Sequence, residues 1–354
     1  MSLKTLLGIE LPLLQAPMAG VQGSRLAIAV SNAGGLGALP CAMLSPQAMG
    51  EEIAAIRAQT SHPFNVNFFC HTPPQPEPAR EAAWRARLNE DYQRFGLDID
   101  AIPAGPGRRP FDAEIAECLE QWRPPVVSFH FGLPSPELMA RLRDWRCRIL
   151  SSATTVEEAR WLQGRGVDAI IAQGLEAGGH RGMFLTDELT TQMGTFALLP
   201  QVVAAVDVPV IAAGGIADAR GVAAAMALGA AGVQIGTAYL LCPEAGTSEV
   251  HRAALKQPAA AHTALTNVFT GRPARGIVNG AMRRWGPIDA EAPAFPLATA
   301  VTAPLRRAAE AQGSGDYSPL WAGQNASGCK EIPAVQLTWE LAAGFGNDEP
   351  SCIV

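Results

Sequence analysis

The chain has 354 residues, 27 Lys and Arg against 33 Asp and Glu, and a formal net charge of −6. It is 48% apolar and 17% charged, where roughly 25% charged is usual, so it can bury a large core and is not a disordered chain. The mild acidity and the absence of any Lys/Arg run remove the electrostatic footprint of a nucleic-acid-binding protein.

The N-terminal stretch MSLKTLLGIELPLLQAPMAG is apolar in the manner of a signal peptide, but Glu10 and Pro12 interrupt it, and 11–17 reads as a first buried strand. Further short apolar runs, bounded by Gly, Pro or Asn, fall at 35–39, 64–69, 126–131, 148–153, 169–173, 208–213 and 232–239. Amphipathic or Ala-rich segments separate them at 24–32, 46–58, 135–144, 155–165 and 217–228. The third opens Ser135-Pro136-Glu137, an N-cap residue with Pro at the first helical position. Near-continuous apolar strands alternating with helices imply a parallel sheet covered on both faces. Eight such units predict an α/β fold, a (β/α)8 TIM barrel, rather than an open doubly wound sheet. The uncharged run 221–242 is long enough to span a bilayer, yet Gly229 and Gly232 break it, and a buried helix followed by a buried strand accounts for it without a membrane. Residues 71–110 form a Pro- and charge-rich excursion expected to contribute one helix. Residues 243–319 are expected to form a smaller, mostly helical second domain over one mouth of the barrel. The division is therefore 1–242 with 320–354 as barrel and 243–319 as cover.

The seven cysteines are scattered, odd in number and without a CxxC pair, which argues against a disulfide framework or a zinc site and for a reducing, cytoplasmic setting. No HExxH, GxSxG, Walker A or GxGxxG occurs. NAGGLG at 32–37 lies where a helix ends and a strand begins, the reverse of dinucleotide-binding order, and reads as a helix C-cap and turn. The expectation is no metal. In such a barrel, functional groups come from loops after the strands. Gly214 and Gly215 follow the seventh strand, and Gly236 and Thr237 end the eighth. Glycine turns there let backbone N–H groups converge on a phosphate, and a helix N-terminus adds a favourable dipole. The segment EAGGHRG after strand six frees His180 to point into the mouth, and an imidazole suits proton abstraction from a carbon acid near neutrality. His130, within SFHFG, sits at an apolar strand end, where a hydrogen-bonded structural histidine is the ordinary reading.

QAPMAG, SNAGGLGAL, NVNFF, SFHFG, QGLEAGGHRG, AAGGI and QIGTAYL, followed by TGRPARGIVN and YSPLWAGQ, occur in an order that resembles nitronate monooxygenases, in particular the class with the SFHFG segment. That resemblance implies a non-covalent FMN across the barrel mouth. Pro17, Met18, Ala19 and Gly20 would line its ring system, and Asn67 and Gln173 would hydrogen-bond its polar edge. Gly178 and Gly179 would pack close to it, while Gly214, Gly215, Gln234, Gly236 and Thr237 would hold its phosphate and Gln324 would close over it from the tail. His180 matches the family's active-site histidine, and His130 the one distinguishing the class. The implied reaction oxidises an alkyl nitronate such as propionate 3-nitronate with O2 to a carbonyl compound plus nitrite or nitrate. The implied partners are a small nitronate or nitroalkane and O2, with neither nucleic acid nor membrane, and a homodimer is left open. The alternative on the same barrel is an NAD(P)H-dependent flavin reductase, of the quinone reductase or enoyl-acyl-carrier-protein reductase type.

Overall fold

The computed structural model describes residues 1–102 and 108–346. The end of the expected 320–354 tail, with Cys352, and residues 103–107 of the excursion lie outside the described residues. Eight strands form one parallel sheet: β1 (Leu13–Gln15), β2 (Gly37–Pro40), β3 (Phe64–Phe69), β4 (Val126–His130), β5 (Arg148–Ala153), β6 (Ala169–Gln173), β8 (Val210–Ala213) and β9 (Gly232–Ile235). Their order, β1-β9-β8-β6-β5-β4-β3-β2, is closed by a parallel bridge between Leu14 and Leu36, so the sheet is a barrel without edges. The strands are buried at nearly every position, which is why they read as continuous apolar runs rather than alternating ones.

The outer helices start where their caps dictate. Ser45, Ser135 and Thr155 accept hydrogen bonds from the N–H groups of Ala48, Leu138 and Glu158, satisfying first-turn donors. Gly37 shows how tightly helix and strand approach: a Cβ there would meet the Ala27 carbonyl oxygen at 2.0 Å, so only glycine fits. Beneath the barrel, an unforeseen helix, Leu3–Leu7, capped by Ser2, buries Leu3, Leu6 and Leu7 against Leu14, Leu36 and Leu150. Among the described residues, no helix is long and apolar enough to cross a membrane.

The second layer is less purely helical than its composition suggests. Besides the helices Glu249–Leu255, Gly280–Trp285 and Ala298–Glu310, it holds an antiparallel hairpin, β10 (Thr263–Thr266) and β11 (Ala274–Ile277). β11 pairs on its other side with β7 (Gly179–His180), the loop after β6, with Ala274 opposite His180. The layer's core joins Val268, Phe269, Trp285, Val301 and Leu305 to Trp84, Leu88 and Tyr92 of the excursion helix Pro78–Arg94. Tyr92 fixes that contact by donating to the Val301 carbonyl at 2.6 Å.

Candidate active site at the barrel mouth

The C-terminal ends of the strands and the covering layer enclose one cleft. It is lined by Pro17, Met18 and Ala19 after β1, Asn67 and Phe69 on β3, Ser128 and His130 on β4, and Ser152 on β5. Gln173, Gly178, Gly179 and His180 come from β6 and β7, Gly214 and Gly215 follow β8, and Gln234, Gly236 and Thr237 come from β9 and its end. Fourteen of the sixteen residues expected at the site thus meet in one place. The other two do not line the cleft. Gly20 is exposed, turning the chain away from the mouth at φ +85°. Gln324 also points outward, and only its backbone N–H engages the mouth, donating to the Glu176 carbonyl at 2.9 Å. Its neighbours do the covering. Gly323 N–H donates to Thr237 Oγ1 at 2.9 Å, and Asn325 Nδ2 to the Gly215 carbonyl at 3.2 Å. Gly178 serves this strap, because a Cβ there would lie 2.5 Å from Gly323 N.

The two histidines are wired to each other. His130 Nε2 meets the His180 carbonyl at 3.1 Å; a carbonyl only accepts, so the network places the proton on Nε2. Nδ1 then accepts from the Ser152 hydroxyl at 3.0 Å. Burial pushes His130 down to about 4, so it is neutral and serves as a brace. Gln173 completes the brace: its Nε2 donates to the same His180 carbonyl at 2.9 Å and its Oε1 accepts from Gly182 N–H at 2.7 Å. Asn67 likewise spends its amide on Ser128, 2.9 Å to Oγ. Both side chains therefore shape the wall as well as facing it.

His180 Nε2 lies 2.9 Å from Thr270 Oγ1, whose hydroxyl is 3.4 Å from the Arg272 carbonyl. With the threonine proton directed to that carbonyl, Nε2 carries the histidine proton, and Nδ1 holds a lone pair with no hydrogen-bond partner among the described residues. Aromatic rings cage the imidazole: Phe295 at 5.3 Å and Trp321 at 5.5 Å between centroids, with Phe69 and Phe131 beyond. Burial first, then the Arg108 cation, holds His180 well below the ordinary histidine value. Thr270 and Trp321 lie in the segments TGRPARGIVN and YSPLWAGQ, where the resemblance gives them no role, and Arg108 and Phe295 lie in none of the family-like segments; all four reach His180 from distant positions in the chain.

The β8–β9 end fits a phosphate. None of the N–H groups of Gly214, Gly215, Gly236 and Thr237 donates to a backbone carbonyl among the described residues. The Thr237 hydroxyl, accepting from Gly323, keeps its proton to donate. The helix Ala219–Ala227 adds less than expected, because Asp218 caps its first turn through Gly221 N–H. Among the described residues, Gln234 Oε1 is buried without a partner and no carboxylate lines the cleft. An orphaned acceptor, a convergent set of N–H donors and an acid-free wall suit a flat cofactor with a phosphate tail.

Gly182 is the tightest point of the histidine brace, since a Cβ there would lie 2.8 Å from His130 Cε1 and 3.1 Å from Ser152 Cβ. Gly182→Ala is expected to destabilise the protein by about 1–3 kcal/mol through overpacking. It should also lower kcat/KM at least tenfold as His130 is displaced, and thermal melts beside steady-state kinetics would check both.

Barrel, cleft and paired imidazoles define an α/β barrel with a candidate active site at its mouth. Two solved structures share the architecture: nitroalkane oxidase from Streptomyces ansochromogenes (TM-score 0.88, 41% identity, 97% of each chain) and FabK from Thermotoga maritima (TM-score 0.74, 28% identity, 98% of this chain and 96% of that one). The family model described as nitronate monooxygenase matches residues 1–344. The chain is 43% identical over 343 residues to a nitronate monooxygenase of Pseudomonas aeruginosa, covering 94% of this chain and 95% of the relative. It is 42% identical over 349 residues to one of Paraburkholderia phytofirmans, covering 96% and 93%. The chain belongs to the nitronate monooxygenase family.

Proposed function

We propose that this enzyme uses FMN, the cofactor of its family, to oxidise alkyl nitronates such as propionate 3-nitronate with O2, giving carbonyl compounds and nitrite or nitrate. The observation that carries the reading is the His180 cage: an imidazole locked by Thr270 and His130 whose Nδ1 lone pair is free, and which faces a cleft without a carboxylate, among the described residues. FMN supplies the electron acceptance and the reaction with O2. Its phosphate would be held by the N–H groups of Gly214, Gly215, Gly236 and Thr237, and Gln234 Oε1 would accept from a donor on it. Pro17, Met18 and Ala19 would bear on its ring system.

The protein's own steps are binding, orientation and proton transfer. His180 Nδ1 can take the α-proton of a neutral nitroalkane, leaving the nitronate in place. A substrate arriving as a nitronate needs no base, and the same site then orients it. Phe69, Phe131, Phe295 and Trp321 exclude water around the reacting carbon. We further propose that 1–242 with 320–354 is the catalytic barrel and 243–319 its substrate cover, to which the helix Pro78–Arg94 lends part of the core. The free, scattered cysteines favour a cytoplasmic setting. The reductase alternative is not favoured: the family match spans the chain, and identity and fold similarity are both higher to nitroalkane oxidase than to FabK.

Purified protein is expected to be yellow, to consume O2 with propionate 3-nitronate and release nitrite, and to oxidise NADH negligibly with a quinone. Fast NADH oxidation without nitronate-dependent O2 uptake would replace the monooxygenase reading with the reductase one.

A further inference from the structure

The cleft wall carries one full charge that the reaction as described does not use. Arg108 lines the cleft, enters no ion pair with the described residues, and has one neutral partner, Thr299 Oγ1, 3.3 Å from Nη1. Its guanidinium lies over the Phe295 ring, 5.3 Å from the centroid. His180 stands 5.3 Å from the same ring, so cation and imidazole flank one aromatic side chain and fall within reach of a single small molecule. Burial and the neighbouring Arg306 push Arg108 down to about 10, as expected of a cation with no acidic neighbour. The adjoining residues 103–107, PAGPG, bring no acid either. The other arginines near the imidazoles differ: Arg272 has Asp187 and Glu158 nearby, stacks on Phe131 and donates to the Met183 carbonyl, and Arg181 gives its donors to Gln192, Gly174 and Gln173. A largely buried guanidinium without a counter-ion is costly unless an anion completes it, and its planar fork matches a carboxylate bidentately.

We infer that Arg108 is a specificity-determining residue that binds a carboxylate at the far end of the substrate while the nitronate carbon sits at His180. The inference rests on the nitronate reading above and deepens it by naming the residue that recognises the carboxylate of a substrate such as propionate 3-nitronate. The chemistry divides cleanly between the two residues. His180 is held neutral and cannot supply a cation, and Arg108 supplies one without being able to act as a base. Phe295 between them gives the substrate's methylene carbons an apolar wall.

The test compares propionate 3-nitronate with propyl-1-nitronate, which lacks the carboxylate, in the flavin-loaded wild type, Arg108→Met and Arg108→Lys. The readout is the ratio of the two kcat/KM values. Arg108→Met is expected to lower that ratio about ten- to hundredfold, as loss of a charge-assisted bond implies, with the change in KM rather than kcat. Arg108→Lys should restore part of it. Independently, succinate is expected to inhibit the wild type competitively and to perturb its flavin absorbance, both weakened at least tenfold in Arg108→Met. A ratio that stays constant in Arg108→Met, with succinate binding undiminished, overturns the inference. If the wild type turns over neither nitronate, the monooxygenase reading falls, while the succinate titration still decides whether Arg108 is a carboxylate site. Should Arg108→Met fail to fold or hold flavin, Arg108→Gln carries the same comparison.

Discussion

His180→Asn is expected to lower kcat/KM for a neutral nitroalkane about 10²–10⁴-fold, the usual worth of a positioned general base, with flavin content retained. The loss should be much smaller, about tenfold, for a preformed nitronate, because that substrate needs no proton removed and the amide can still orient it. The pH profile carries the sign. Burial and Arg108 hold His180 well below the ordinary histidine value, so the imidazole is neutral throughout the neutral range and is lost as a base only when acid protonates it. Wild-type kcat/KM for the nitroalkane should therefore stay flat from pH 8 down through the ordinary histidine value near 6.5 and fall only below it. In the variant that acid limb should vanish. Parallel measurement with both substrate forms checks the assignment: equal losses on nitroalkane and nitronate would mean that His180 orients the substrate and does not abstract its proton.

What the sequence shows of this site follows from range. β3, β5 and β6 have the boundaries their apolar runs suggest, because burial on both faces writes itself into consecutive residues. The eighth strand stops earlier, at Ile235, and 237–241 turn as a 3-10 helix, since Gly236 leaves the ladder where the mouth opens. The glycines at β8 and β9 were legible for the same local reason. The surroundings of His180 were not. β7 is two residues long and exists only by pairing with β11, nearly a hundred residues on, and neither TALT nor ARGI alternates clearly enough to announce a hairpin. Thr270, which settles the His180 tautomer, opens the segment TGRPARGIVN, but nothing in that segment says that it meets His180; Arg108, from a Pro- and Gly-rich excursion, lies in none of the family-like segments, and the meaning of both lies in what they approach. Gly178 and Gln324 show the converse. The resemblance assigned both to the cofactor; Gly178 does line the cleft, and backbone packing of the 321–325 strap is a second demand on it that the resemblance did not carry, while Gln324 contributes its N–H there and its side chain faces outward.

Arg181 should have the largest effect on stability. It is fully buried next to His180 in the chain, and its three donor groups are all used: Nε to Gln192 Oε1 at 3.0 Å, Nη1 to the Gly174 carbonyl at 2.7 Å and Nη2 to the Gln173 carbonyl at 2.8 Å. Gln173 ends β6 and Gly174 follows it, and Arg181's own N–H donates to the Pro273 carbonyl of the covering layer at 2.8 Å. One guanidinium therefore joins barrel, active-site loop and cover. Arg181→Met keeps most of the volume but leaves three buried acceptors unpaired, each worth about 1–3 kcal/mol. With partial rescue by water, the expected loss is about 3–5 kcal/mol, comparable to breaking a buried charged contact. Arg181→Lys should fall between, since a single ammonium cannot reproduce the planar fork. Because Gln173 braces the His180 carbonyl through its side chain and Arg181 through its main chain, kcat/KM should drop as well, and by more than flavin occupancy does. Urea unfolding of wild type and both variants, with flavin content and kinetics on the same preparations, measures the two effects together. A midpoint unchanged in Arg181→Met would show that the guanidinium is not the tie between loop and barrel, and the positioning of His180 would then have to rest on Gln173, His130 and Thr270 alone.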